Sequence, residues 1–226
     1  MSLIVYFIII SVIPLYISFK LKHTYNKHEQ IGTSSNLSGH EVARKILDEK
    51  GLHHVGVEST GGFLSDHYDP SSKTVRLSEN NYWGNSVAGA SVAAHEVGHA
   101  VQDAESYGFL RLRHSLVPVA NIGSNLSFVF ILIGAILHAT GLMVLGVLFF
   151  SFSVLFQVVT LPVEFDASRR GERYLVEYGI IQEDETAHVK KVLRAAAMTY
   201  VASTVIAILE LGRFILQLAG MTNDEE

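Results

Sequence analysis

The sequence contains no cysteine. Disulfides and thiolate metal ligands are thereby excluded, and any zinc site has to be built from histidines and carboxylates. Charge is also scarce. Asp, Glu, Lys and Arg make up 17% of the 226 residues, against 49% hydrophobic residues, and the mean hydropathy is +0.29. That balance is more apolar than an ordinary soluble domain and points to a membrane. Acidic residues outnumber basic ones by 22 to 17, and the net charge of −5 argues against nonspecific binding of nucleic acid. No internal repeat or low-complexity tract is evident.

Four long apolar runs are present, at residues 3–19, 116–138, 142–163 and 195–216. Each approaches the ~20 residues that cross a bilayer core as a helix. Glu210 and Arg213 interrupt the fourth, but at i,i+3 they can neutralise each other. The first run has no basic segment before it and no small-residue cleavage pattern after it, so it reads as an uncleaved anchor rather than a signal peptide. Basic residues cluster beside the runs. Lys20, Lys22 and Lys27 follow the first; Arg111 and Arg113 precede the second; Arg169, Arg170 and Arg173 follow the third; Lys190, Lys191 and Arg194 precede the fourth. The link at residues 139–141 is uncharged, and the tail from Asn223 to Glu226 is acidic. The positive-inside rule then predicts four spans, every basic loop in the cytoplasm, and both the short link and the C-terminus outside.

Between the first and second runs, residues 38–50 have the pattern of a helix capped by Ser38, with Glu41 three residues on and Gly51 at its end. Residues 55–58, 62–68 and 73–78 have strand character, and the Asp69-Pro70-Ser71-Ser72 turn predicts a hairpin between the last two. Such a hairpin could offer an edge strand to a peptide substrate. His67, beside Asp66 and Asp69, is a candidate for the substrate cleft.

Residues 85–102 then form a predicted helix capped by Asn85 or Ser86, and it carries His95-Glu96-Val97-Gly98-His99. Histidines at i and i+4 share one helix face and can ligate one metal ion. Glu96 projects away from His95, as suits a general base that activates water without ligating the metal. H-E-x-x-H on a helix is the zinc-peptidase pattern. A catalytic zinc needs one more protein ligand, because its fourth position belongs to water. Metzincin spacing would place a glycine at 102 and a histidine at 105, where this chain has Gln102 and Glu105. His114 borders a membrane run and suits an interface. Glu164 is the preferred candidate. It follows the third run directly, returns to the same membrane side as the metal helix, and sits where a carboxylate needs a reason to be. Pro162 is expected to start a new helical turn there. The alternative for Glu164 is pairing with Arg169 or Arg170.

Five stretches together carry a family resemblance: Leu64-Ser65-Asp66-His67-Tyr68-Asp69-Pro70, Val75-Arg76-Leu77-Ser78, Ala94-His95-Glu96-Val97-Gly98-His99-Ala100, residues 161–170, and Arg194-Ala195-Ala196-Ala197-Met198-Thr199-Tyr200-Val201. With them the chain resembles the YugP-like membrane zinc metallopeptidases of bacteria. The resemblance implies a Zn²⁺ ion on His95 and His99, with Glu96 as the catalytic glutamate. Residues 164–168 are similar to the E-x-x-A-D element of other membrane gluzincins, whose glutamate is the third ligand. Glu164 and Ala167 fit that element, but Ser168 stands in place of its aspartate. Asp166 is then the nearest carboxylate able to support a ligand histidine.

The fold class expected is α+β: a mostly helical integral membrane protein with four transmembrane helices and a small zincin-like cytoplasmic part containing a β-hairpin. The division expected is an anchor (1–20), a zincin-like cytoplasmic region (21–114), a transmembrane hairpin (115–163), a third-ligand helix with a cytoplasmic connector (164–194), and a last span with the acidic tail (195–226). The function expected is a gluzincin-like metalloendopeptidase of the cell membrane. One zinc per chain is bound by His95, His99 and Glu164, with Glu96 as base and Tyr200 or His188 as candidate oxyanion donors. Its partners are the lipid bilayer and a peptide or membrane-protein substrate. Two rival readings are an intramembrane site-two-type protease and a non-catalytic zinc-stabilised scaffold. The first is disfavoured because Asp103, Glu105 and Arg111 follow the motif closely and no L-D-G element appears later. The second is disfavoured by Glu96, since a structural zinc needs no general base.

Overall fold

The computed structural model describes residues 3–223, with side chains described for Tyr6, Ile8 and residues 10–220. Residues 224–226 of the acidic tail lie outside them. The elements in order are α1 (Leu3–Glu29), α2 (Gly39–Glu49), β1 (Gly56–Thr60), β2 (His67–Asp69), β3 (Thr74–Ser78), α3 (Glu79–Trp83), α4 (Val87–Ala104), α5 (Gly108–Ile136), α6 (Thr140–Glu177) and α7 (Thr186–Asn223). The chain divides into two compact units. The first comprises Met1–Tyr107 with Val163–Thr199, and the second comprises Gly108–Pro162 with Tyr200–Glu226.

In the first unit, local chemistry sets the helix starts. The Ser38 side chain accepts from the Glu41 backbone N–H while Glu41 reaches back to the Ser38 N–H, the reciprocal cap that the sequence predicts for α2. Gly51 just beyond the helix has φ +69°, a left-handed turn that costs glycine little. Ser86, rather than Asn85, caps α4 by accepting from the Gly89 N–H.

The predicted hairpin is present. β2 runs antiparallel to β3, pairing His67 with Arg76 and Asp69 with Thr74. Asp69 holds the turn by accepting from the Ser71 N–H and the Ser72 hydroxyl. The sheet is larger than a hairpin, however. β1 pairs in parallel with β3, giving the order β1-β3-β2. The middle strand carries Val75 and Leu77, both fully buried. These join Val42, Ile46 and Leu47 of α2, Ala93 and Val97 of α4, and Tyr174 and Leu175 of α6 in one core. A central strand buried among helices needs hydrogen-bonding partners on both edges, and β1 supplies the second.

Three helices among the described residues are long and apolar enough to cross a membrane by length and composition. They lie at Gly108–Ile136, Thr140–Glu177 and Glu183–Gly220. Less than a third of the most apolar window of each is buried. In the second unit, α5 and α6 approach closely at glycines. A Cβ on Gly123 would stand 2.8 Å from the Phe149 carbonyl oxygen, and one on Gly146 would stand 2.8 Å from the Ile131 nitrogen. Small residues at the crossing let apolar helices gain dispersion contact where lipid offers no hydrophobic drive. The first apolar run falls within α1, which continues through Pro14.

One expectation is corrected. Pro162 does not restart a helix before Glu164; α6 runs unbroken from Thr140 to Glu177 with Pro162 inside it. Proline removes one N–H donor but does not forbid the helix when flanking turns hold it, and such interruptions are tolerated in membrane helices. The third apolar run and the segment bearing Glu164 therefore share one helix assignment.

Candidate metal centre

His95 and His99 lie one turn apart on α4, with ring centroids 4.8 Å apart. Glu164 of α6 meets both. Its Oε2 lies 3.3 Å from His95 Nε2 and 3.6 Å from His99 Nε2. The three ligand atoms all lie within 4.8 Å of one another, and Glu164 and His99 are buried. Two atoms bonded at ~2.1 Å to a tetrahedral zinc stand roughly 3.4 Å apart, so this spacing suits one zinc ion. Two imidazoles and a carboxylate also match that metal in kind.

Small residues bring the two helices to this distance. A Cβ on Gly98 would stand 2.7 Å from the Ala167 carbonyl oxygen, and one on Gly171 would stand 2.9 Å from the Ala94 carbonyl oxygen. Ala94 and Gly98 are i,i+4 on α4, and Ala167 and Gly171 are i,i+4 on α6. Two small-on-small crossings thus pin the backbones on the face that carries the ligands. Glu164 lies three residues before Ala167 and so points along that same face.

Each histidine is oriented from behind. His99 Nδ1 lies 3.0 Å from Gln102 Oε1, and His95 Nδ1 lies 3.1 Å from Ser168 Oγ. With Nδ1–H donating to these oxygens, both Nε2 lone pairs remain for a metal. Gln102 is fully buried, and its amide nitrogen donates to the Val163 carbonyl and to Asp166 Oδ2, both at 2.9 Å. Asp166 also accepts from Arg170, whose other arm reaches Glu105 at 2.6 Å. Arg170 therefore pairs with Asp166 and Glu105, while Glu164 faces the histidines. Glu105, the metzincin-position alternative, is held in that ion pair.

Gln102 is the residue that sequence reasoning missed. It was visible only as a mismatch to the metzincin glycine, yet its place three residues after His99 puts it on the ligand face. Ser168, rather than a carboxylate, is the side chain that reaches His95 Nδ1, through its hydroxyl. Asp166 supports His99 only through Gln102.

Glu96 is buried beside the cluster. Burial pushes its carboxyl above the ordinary carboxylate range, against the pull of His95 and His99. Burial disfavours the charged form of His99, but the Glu164 carboxylate outweighs it and holds the imidazole pKa above its usual value.

None of the other sequence candidates belongs to this group of three. His188 packs edge-on against His28, ring centroids 5.3 Å apart. Tyr200 and His114 belong to the second unit. Asp66 accepts from the Ser78 N–H and hydroxyl and from Asn81, which fastens the sheet to α3. His67 is exposed, with Nδ1 2.8 Å from the Ser65 carbonyl. Among the described residues, His95, His99 and Glu164 are the one group of three or more His, Asp or Glu close enough to share an ion.

Comparison with known proteins shows the family. The family model described as "Putative neutral zinc metallopeptidase" matches residues 3–219. The chain belongs to this family. The chain is 48% identical over 198 residues to "Putative membrane protease YugP" of Bacillus subtilis (strain 168), covering 88% of each chain. The family match takes in the whole of α4 and α6, so both helices that carry the His95, His99 and Glu164 group fall within it. No solved structure matches the chain.

Proposed function

We propose that the chain is a membrane-embedded zinc metalloendopeptidase with its site at the cytoplasmic membrane surface. The observation that carries this reading is the convergence of His95 Nε2, His99 Nε2 and Glu164 Oε2 beside a buried Glu96. Membership of a zinc metallopeptidase family and a relative named as a membrane protease support it.

Zinc bound there supplies a Lewis acid that acidifies water toward ~7 and polarises the scissile carbonyl. The residues do the rest. His95, His99 and Glu164 hold the ion, and Ser168 and Gln102 keep both imidazoles in the tautomer that leaves Nε2 free. Glu96 takes a proton from the attacking water as its oxygen bonds to the carbonyl carbon. It then delivers that proton to the amine nitrogen as the C–N bond breaks. Its carboxyl is buried beside the three converging residues, where it is placed to accept and return a proton. Tyr200 and His188 are the candidate oxyanion donors, and the exposed edges of β1 and β2 are the candidate strands for laying out a peptide.

Basic residues flank the apolar helices as the positive-inside rule requires for a cytoplasmic site, with α1 as a fourth crossing. The substrates are then membrane proteins or unfolded segments near the bilayer. The test is hydrolysis of an unfolded casein by the purified full-length chain. Activity should disappear with a chelator and return with zinc. Cleavage that survives complete removal of metal would contradict the proposal.

A further inference from the structure

α1 and α7 enclose a groove of about 780 Å³ that the metal centre does not use. The two helices meet along an antiparallel ladder. His28 packs on His188, and Tyr25 shares a small buried cluster with Val192. Beyond these contacts the helices open. Val12, Ile13, Tyr16 and Ile17 of α1 and Met198 of α7 form an apolar floor, and all but Ile17 are exposed. Lys20, Lys27, Lys191 and Arg194 line the same groove, and no Asp or Glu does.

The order of these residues along each helix matters more than their number. On α1 the apolar positions come first and the lysines follow. On α7 Lys191 and Arg194 come first and Met198 follows. Because the helices run oppositely here, both place their cations at one end of the groove and their apolar side chains at the other. From Val12 to Lys20 the helix rises about 12 Å, enough to separate a charged head from an acyl chain. The four cations are also uncommitted. None makes an ion pair among the described residues, whereas the adjacent Lys190 is paired with Glu172 at 3.3 Å.

We propose that this groove binds an anionic phospholipid, its phosphate among Lys20, Lys27, Lys191 and Arg194 and one acyl chain on Val12, Ile13, Tyr16 and Met198. Clustered bases above an apolar cleft between membrane helices attract anionic headgroups, and the apolar floor favours a lipid over a free anion. A bound lipid would clamp α1 to α7. The assignment rests on both helices entering the bilayer, which resistance of the chain to alkaline extraction from membranes scores separately.

The test uses the full-length zinc-loaded chain in detergent, with binding of dioleoyl phosphatidylglycerol and dioleoyl phosphatidylcholine compared by native mass spectrometry. Phosphatidylglycerol should be preferred by roughly tenfold or more, given four basic residues at one headgroup. The quadruple variant Lys20→Gln/Lys27→Gln/Lys191→Gln/Arg194→Gln should bring the ratio close to one. Lys22→Gln/Lys190→Gln, which removes two neighbouring charges outside the groove, should leave it unchanged. Ile13→Trp/Met198→Trp keeps every cation but fills the floor, and it should weaken phosphatidylglycerol binding several-fold. Equal binding of the two lipids by the unaltered chain would overturn the proposal. So would an unchanged preference in the quadruple or the floor-filling variant, or displacement of the lipid by inorganic phosphate or an acidic peptide at equal concentration.

Discussion

Gly98 faces Ala167 so closely that a Cβ on the glycine would stand 2.7 Å from the alanine's carbonyl oxygen. This contact joins the helix bearing both histidines to the helix bearing Glu164, and on α4 it sits between His95 and His99 in sequence. The obstacle is backbone rather than a flexible side-chain tip, so a larger residue must push the helices apart. Overpacking of this kind costs about 1–3 kcal/mol. Gly98→Ala should lower the melting temperature and weaken zinc binding together, because moving α6 moves Glu164. Gly98→Val should be worse on both counts. Zinc affinity by chelator competition is the decisive readout, and a Gly98→Val chain that keeps full affinity would show that this crossing does not set the ligand geometry.

The orienting residues should matter without touching the metal. Gln102→Leu removes the acceptor on His99 Nδ1 and leaves the Asp166 carboxylate without its amide donor. Loss of such a partner typically costs 10–100-fold in metal affinity or activity. Ser168→Ala should cost less, since it removes one neutral hydroxyl, and Ser168→Asp should hold zinc at least as tightly as the unaltered chain by making His95 more basic. Equilibrium dialysis of the three variants orders them directly, and equal affinity for all three would refute the role given to these side chains.

Much of this site was legible in the sequence because its signals are local. The spacing of His95 and His99, the Ser38 and Glu41 cap and the Asp69 turn each lie within a few residues, and each appears where expected. Glu164 was accessible through topology and family resemblance. What escaped depends on distant packing. The parallel addition of β1 follows from the burial of β3 among helices, which no strand pattern contains. The continuity of α6 through Pro162 depends on neighbouring turns rather than on the proline itself. Gln102 gains its role only when α6 brings the Val163 carbonyl and Asp166 against α4.

Zinc binding should depend on pH with a definite sign. Ligation requires neutral imidazole, and the Glu164 carboxylate, outweighing burial, holds the His99 pKa above its ordinary value. A raised pKa means that the proton competes with the metal at higher pH than it would for a free histidine. Affinity should therefore fall as pH drops through the raised His99 pKa and level off above it. Glu164→Gln removes the carboxylate that stabilises the protonated form, so the pH at which affinity falls should move downward even as affinity itself drops. Isothermal titration at several pH values measures both, and an upward move in the variant would contradict this account of the electrostatics.

Topology provides an independent check. With the basic loops in the cytoplasm, a reporter active only outside the membrane should work when fused at Gly141, beside the turn joining α5 and α6, or after Glu226. It should be silent when fused at Ser78, on the sheet that packs with α4. The inverse pattern would place the metal centre outside the cell.

The most direct measurement concerns Glu96, whose buried carboxyl stands beside the ligands without being one of the three that converge. Glu96→Gln should bind zinc as well as the unaltered chain and melt at a similar temperature. Hydrolysis of unfolded casein should nevertheless fall by several orders of magnitude, because water activation and protonation of the leaving amine are lost together. A Glu96→Gln chain that retains zinc and cleaves at the unaltered rate would contradict the assignment of Glu96 as the general base.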